Sequence, residues 1–162
     1  NKSRRKVQKN NFAFMKITEF VKNVLSNRKN EFAKLKLGEV TPQEVQRIQT
    51  ELGIDLTDFQ RVLDNSGIKH AFKKHGNPKT EALRGQIAIT PEDFEKILDI
   101  VQNPDLVEHR GQNRIGNELI LYEKTWEQIF CYVEGLRESE KKQTKEVYMV
   151  TFYKKKAPKS ND

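Results

Sequence analysis

Two histidines and two lysines, His70, Lys73, Lys74 and His75, fall within six consecutive positions of this chain. An imidazole with an unperturbed pKa of about 6.5 takes or gives a proton near neutrality, and an ammonium group neutralises charge on a phosphoryl oxygen. Such a set suits metal-free cleavage of a ribose phosphodiester. That reaction asks for a base at the 2′-OH, an acid at the leaving 5′-oxygen, and cations or donors around the crowded phosphorane. Each residue also has an ordinary reading: His75 as a satisfied core histidine, His70 as a solvated one, and the lysines as helix-surface charges.

Metal-assisted alternatives need clustered carboxylates or His and Cys ligands. Glu92, Asp93 and Glu95 stand where a helix begins, a place where acidic side chains favour the positive end of the helix dipole. Cys131 is the single cysteine, and the spacing of His70 and His75 leaves neither one turn from a third ligand. No metal site and no other cofactor is expected, and Cys131 reads as a small buried strand residue.

The elements that must position these groups follow from periodicity. Phe14, Ile17, Val21, Val24 and Leu25 recur at three and four, the spacing of one helix face. Phe32 to Leu37 alternates weakly, as a short strand or a linker. Thr41-Pro42-Gln43-Glu44 is a helix start, with a capping box and Pro at the first position, and Val45, Ile48 and Leu52 as the buried stripe before Gly53. Leu56, Phe59 and Leu63 read as another short helical pattern. Ser66 is positioned to cap the histidine helix, with Ile68, Ala71, Phe72 and His75 on one face and Gly76-Asn77-Pro78 ending it. At about 100° per residue His70 points away, alongside Lys73 and Lys74. The two histidines therefore form one acid/base pair only if the helix ends before His75. Otherwise one of them acts alone.

Arg84 to Ile89 reads as a short extended segment, and Thr90-Pro91 opens a helix carrying Phe94, Ile97, Leu98 and Val101 until Asn103-Pro104. Beyond Pro104 the pattern turns extended, with strands at Leu106 to Arg110, Glu118 to Lys124, Gln128 to Glu134 and Glu146 to Lys154. Gly111 to Gly116 and Gly135 to Lys142 supply the turns. In the last strand Tyr148, Val150 and Phe152 are set against Met149, Thr151 and Tyr153. The expected fold is α+β, N-terminal helices packed on an antiparallel C-terminal sheet of about four strands.

The balance of 30 Lys+Arg against 23 Asp+Glu in 162 residues gives a net charge of +7, which suits a polyanionic partner. The apolar stretches are far shorter than the roughly 18 residues a membrane span requires, so membrane insertion is not expected. The basic stretch Asn1 to Asn11 reads as a disordered arm and Lys154 to Asp162 as a fraying tail. With Asn1 first and no signal-peptide pattern, the chain reads as a fragment cut from a longer protein.

Ile68-Lys69-His70-Ala71-Phe72-Lys73-Lys74-His75-Gly76-Asn77, then Arg84-Gly85-Gln86-Ile87-Ala88-Ile89-Thr90 and Glu92-Asp93-Phe94, resemble the phage-associated branch of the barnase, EndoU, colicin and RelE-like (BECR) nuclease superfamily. Asn103-Pro104-Asp105, Tyr122-Glu123-Lys124, Tyr132-Val133-Glu134 and Val150-Thr151-Phe152-Tyr153-Lys154 agree in order, so the likeness runs from about Gly38 to Lys156. It implies a division into an arm and helix over 1–37, a nuclease domain over 38–156 and a tail over 157–162. It further implies a toxin-type ribonuclease that needs no metal and leaves 2′,3′-cyclic phosphate ends. By position His75 and His70 match the family's histidine helix, and Thr151 and Tyr153 the polar pair of its last strand. His75 is then the leading acid/base. Lys73, Lys74 and Arg84 are candidate phosphate contacts and Glu123 is a further candidate in substrate binding or as a base, while Trp126 is a candidate stacking residue.

The resemblance implies RNA, tRNA among the candidate targets, as substrate. A cognate immunity protein, a monomeric state, and action in the bacterial cytoplasm after delivery as the C-terminal part of a larger secreted or virion-associated protein complete that picture. The competing reading is a noncatalytic nucleic-acid-binding or virion-assembly module on the same fold.

Overall fold

The structure is a computed structural model that describes residues 13–29 and 31–158, with side chains in the first helix from Lys16 onward. The expected basic arm at 1–11, the side chain of Phe14 and the last residues of the tail lie outside the described residues. The first helix, α1 (Ala13–Ser26), buries Ile17, Val21 and Val24 in the main core, as its spacing requires, but leaves Leu25, expected on the same face, exposed at its rim. Strand β1 (Lys34–Glu39) settles the ambiguous segment after it and straddles the boundary expected near 37.

Helix α2 (Pro42–Leu52) starts as its sequence dictates. The Thr41 hydroxyl accepts from Glu44 N, the Glu44 carboxylate accepts from Thr41 N, and Pro42 occupies the first turn. Such a cap is worth about 1 kcal/mol.

The next segment departs from expectation. Gln60–Asp64 is a strand, β2, not a helical turn, and it lies between β1 and the last strand. Its Val62 and Leu63 are fully buried and Arg61 nearly so, and a five-residue run buried on both faces carries no period by which to tell strand from helix. Helix α3 (Asn65–His75) follows with no loop; its N-cap is Asp64, not the expected Ser66. A further helix, α4 (Pro78–Leu83), occupies the place where the chain was expected only to stop. Then come β3 (Gln86–Ile87), a 3-10 turn Pro91–Lys96 running into α5 (Ile97–Gln102), and β4 (Leu106–Gln112), β5 (Glu118–Thr125), β6 (Gln128–Ser139) and β7 (Thr144–Lys156).

The α+β class stands, but the sheet is larger than four strands and is not purely antiparallel. It has seven strands in the order β1-β2-β7-β6-β5-β4, with β3 also on β7. The four C-terminal strands form the expected meander, while β2 joins β7 in parallel. Strand β6 runs on to Ser139 through the stretch expected to turn. The helices cover one face, where Phe94, Ile97, Ile120, Tyr122, Tyr132 and Phe152 meet in one core, each contributing about 1.5–3 kcal/mol on burial.

The expected alternation along β7 also changes. Val133 pairs with Thr151 but Glu134 with Met149, so Val150 is an extra residue in a bulge. One inserted residue reverses the facing of everything before it. Val147 and Met149 therefore share the helix-covered core with Phe152, while Tyr148 lies on the other face across Gly135. A Cβ at Gly135 would stand 2.7 Å from the Tyr148 ring, so only glycine fits there.

Candidate active site

The face that the helices leave uncovered can be mapped row by row, since directly paired residues point to the same side. One row holds Gln86, Lys155, Ile129 and Thr125; the next holds Tyr153, Cys131, Glu123 and Leu106; a third holds Thr151, Val133, Leu121 and Glu108. Leu121, Cys131 and Val133 form a small buried cluster in the middle, with Leu119, Ile129, Val150 and Tyr153 packed against it. Thr151 and Tyr153 thus share a face, as their alternation predicts.

Helix α3 runs along the edge of β7, in the gap between the stretch that pairs with β2 and the stretch that pairs with β3. That close passage depends on Gly67, where a Cβ would meet the Met149 carbonyl at 2.4 Å. His75, the last residue of the helix, is delivered to Tyr153, and their rings stack with centroids 5.0 Å apart. The Asn77 side chain accepts from Lys79 N and, with Pro78, starts α4 at once, so the chain doubles back. Doubling back brings the fully buried Glu81 to His75, with Glu81 Oε2 3.1 Å from His75 Nδ1. Arg84 stands beside it, donating from Nη1 to the Lys74 carbonyl at 3.2 Å and approaching Glu81 Oε1 at 3.4 Å.

Glu81 escaped the sequence reading, although its signal was present: Asn-Pro was taken as a stop, yet Asn at the N-cap with Pro at N1 also begins a helix. The Nδ1 contact leaves Nε2 as the ring nitrogen available for proton transfer, and a carboxylate on Nδ1 holds the ring in one orientation.

Burial, reinforced by the Cys131 thiol alongside, pushes the Tyr153 hydroxyl up to about 12, against a smaller downward pull from the Arg110 guanidinium. Tyr153 therefore keeps its proton at any ordinary pH and has a hydroxyl hydrogen to offer. Burial and the Glu123 carboxylate push the Cys131 thiol up to about 11, so it is no nucleophile. Arg110 is a second residue the sequence did not single out, since it lies beside a register shift in β4 that no local pattern announces.

The other candidates divide. Lys73 and Lys74 are exposed on α3, and Arg84 has about half its side chain exposed, free to turn toward an anion. Glu123 is half-buried, with Lys155 Nζ and Cys131 Sγ each 3.7 Å from Oε1, which makes it a partner of those groups rather than of Lys124. Lys154, expected in solvent, is buried and paired with Asp93 at 2.9 Å, over the Phe130 ring. The Thr151 hydroxyl and the Gln86 carbonyl are buried without a hydrogen-bond partner.

His70 is exposed and does not contact His75. It lines a separate cleft of about 460 Å³ with Tyr148, Arg137, Asn113 and Asn117. Burial first, then the ammonium charge of Lys74 and the neighbouring His75 and Lys73, holds its pKa below the usual histidine value. Among the described residues no three His, Cys, Asp or Glu side chains gather as a metal site, and no helix is long and apolar enough to cross a membrane.

The helix-backed mixed sheet thus sets a carboxylate-held histidine beside a protonated tyrosine, with the half-exposed Arg84 next to them. The family model described as phage-Barnase-EndoU-ColicinE5/D-RelE-like nuclease 3 matches residues 38–162, and the chain belongs to that nuclease family. No curated protein and no solved structure matches it.

Proposed function

We propose that this domain is a metal-independent endoribonuclease that cuts by attack of the ribose 2′-OH. The observation that carries the reading is the single cluster of His75, Glu81, Tyr153 and Arg84 at the edge of the open sheet face. With Nδ1–H donated to Glu81, neutral His75 takes the 2′-OH proton at Nε2 as the 2′-oxygen bonds to phosphorus. Arg84, Lys74 and Arg110 carry the charge on the phosphoryl oxygens. Tyr153, kept protonated by its surroundings, gives its proton to the 5′-oxygen as the P–O5′ bond breaks. The imidazolium returns the proton to the tyrosinate through water, and the products are a 2′,3′-cyclic phosphate and a 5′-OH. His70 stands outside this exchange, and its lines of influence are electrostatic.

In the same reading the domain is the toxin part of a phage-related or polymorphic toxin protein, active as a monomer in the bacterial cytoplasm. A cognate immunity protein with an acidic surface would complement the +7 charge.

The test is incubation of the domain and its His75→Ala variant with total tRNA in EDTA, followed by gel and end-group analysis. The expected result is discrete fragments with cyclic phosphate ends from the parent alone. Intact RNA with both folded proteins would overturn the reading in favour of a noncatalytic binding or assembly module.

A further inference from the structure

We propose that the cleft between α3 and the loop joining β4 to β5 is a recognition subsite for one unpaired nucleobase of the strand being cut, read by His70 on one wall and by Asn117 and the Tyr148 hydroxyl on the other. The inference deepens the ribonuclease reading and rests on it. The cleft, about 460 Å³, belongs to the same sheet face as Tyr153. Tyr148, Gly135 and Leu119 form the row that follows Thr151, Val133 and Leu121 there. Val150, the bulge residue between those rows, both lines the cleft and packs on the cluster of Leu121, Cys131 and Val133. Helix α3 borders both places. His70 precedes His75 by five residues, about 7.5 Å of helix, and Lys73 and Lys74 stand one turn on from His70. That separation is about one or two nucleotides of single strand, at ~3.4 Å each when stacked and roughly twice that when extended.

The cleft is suited to an uncharged group. Its guanidinium is committed: Arg137 is held by the Asp64 and Glu146 carboxylates and lies 4.7 Å from the Tyr148 ring centroid. Glu146 also binds Lys34, so neither a phosphate nor a cation finds a free counter-charge there. The groups left over are neutral. The Asn113 amide is fixed by its carbonyl oxygen, which accepts from Ile115 N and Asn117 N, and its Nδ2 donates to the Tyr148 hydroxyl. Asn117 Nδ2 donates to the same hydroxyl at 2.8 Å, which fills both lone pairs and leaves the hydroxyl hydrogen without an acceptor. Turning the Asn117 amide end for end would satisfy that hydrogen and free Nδ2 instead, so one donor remains in either orientation. On the opposite wall His70, neutral at pH 7 because its pKa is lowered, offers one donor and one acceptor. Ile115, 80 % exposed at the loop tip, adds an apolar rim.

Neutral donors and an acceptor on facing walls, with an apolar rim, match the edge and body of a base, and unpaired RNA is read by such contacts to base edges. The loop is already shaped for it. Asn113 N donates to the Asn117 carbonyl and both side chains are tied to Tyr148, so binding orders little that was loose. His70 contributes hydrogen bonds here and takes no part in the proton transfers.

The probe is a 2′-O-methyl hexanucleotide, which cannot undergo 2′-OH attack, compared with an abasic strand of equal length and phosphate count. The parent domain should bind the base-carrying strand more tightly, and the side-chain amide signals of Asn113 and Asn117 in NMR spectra should shift saturably with it and not with the abasic strand. His70→Ala and Ile115→Ala, both at exposed positions, should each reduce the preference for the base-carrying strand about three- to tenfold, the scale of one or two net hydrogen bonds, with abasic-strand binding unchanged. His70→Gln, which keeps a donor and an acceptor, should retain most of the preference.

A preference unaltered in both variants, or equal amide shifts with the abasic strand, overturns the subsite and leaves the ribonuclease reading to its own cleavage assay. A mononucleotide that saturates the same shifts as tightly as the hexanucleotide overturns the assignment to the strand. The expected loss of preference in a domain that cleaves no RNA keeps the base subsite and removes the ribonuclease reading.

Discussion

Two ionic clusters share this sheet from opposite faces and behave differently. On the helix-covered face Arg61, with 1 % of its side chain exposed, donates to both carboxylate oxygens of Glu134 at 2.8 and 2.9 Å and to Glu44 at 2.8 Å. The Tyr122 hydroxyl also donates to Glu134, at 2.7 Å. Burial works against the Arg61 charge, but the Glu134 and Glu44 carboxylates outweigh it and hold its pKa well above the usual value. The guanidinium is locked between α2, β2 and β6, and it offers nothing to a ligand. On the open face His75 has one ring nitrogen committed and one available, and Arg84 is half in water. A closed set of hydrogen bonds holds a fold together; an incomplete one, at a surface, is where a substrate can complete it.

The comparison breaks most sharply at its two centres. His75→Ala is expected to lower RNA cleavage by about 10²–10⁴-fold with the fold intact, the range for loss of a general acid or base. Comparable cleavage by the variant in a gel assay would remove His75 from the chemistry. Arg61→Met is expected to do the reverse, costing about 3–5 kcal/mol in urea unfolding because two buried carboxylates lose their partner, with the cleavage rate of the remaining folded protein little changed.

Glu81→Gln sharpens the distinction, since the variant keeps the shape and loses the charge that holds the imidazole. A loss of about 10–100-fold in kcat is expected, along with displacement of the basic-form limb of the pH–rate profile, and a purely structural Glu81 would leave that limb in place.

A third charged group yields a smaller effect through pH. Burial raises the Glu146 carboxyl, but hydrogen bonds from Lys34 and Arg137 outweigh it and hold its pKa below the ordinary glutamate value of 4.5. A folded pKa below the unfolded one contributes stability at pH above about 4.5, which disappears as pH falls through the folded value. Tm should therefore decline from pH 5 to pH 3, and Arg137→Gln should flatten that decline. The least effect is expected at His70, where His70→Gln should change cleavage only a few-fold; a loss matching that of His75→Ala would put both histidines in the reaction.

Much of this was legible along the chain. The Thr41 capping box, the α1 stripe, the four C-terminal strands, the burial of Cys131 and the shared face of Thr151 and Tyr153 all follow from side chains within a few residues of one another. The divergent placement of His70 and His75 followed from the helical period alone. What escaped had causes at longer range. Strand β2 is buried on both sides and shows no alternation, and its parallel partner lies 86 residues away. The bulge at Val150 shows only in the pairing of β7 with β6, where Thr151 faces Val133 and Met149 faces Glu134.

The sequence by itself determined which residue types were present for proton transfer and phosphate contact, and which face of its helix each occupied, because periodicity and capping are local properties. The tertiary structure decided which of them lie together. Glu81 reaches His75 only because α4 folds back, and Tyr153 reaches it only because α3 lies along the edge of β7. Such meetings are set by the packing of distant segments on one sheet, and no window of neighbouring residues contains that information.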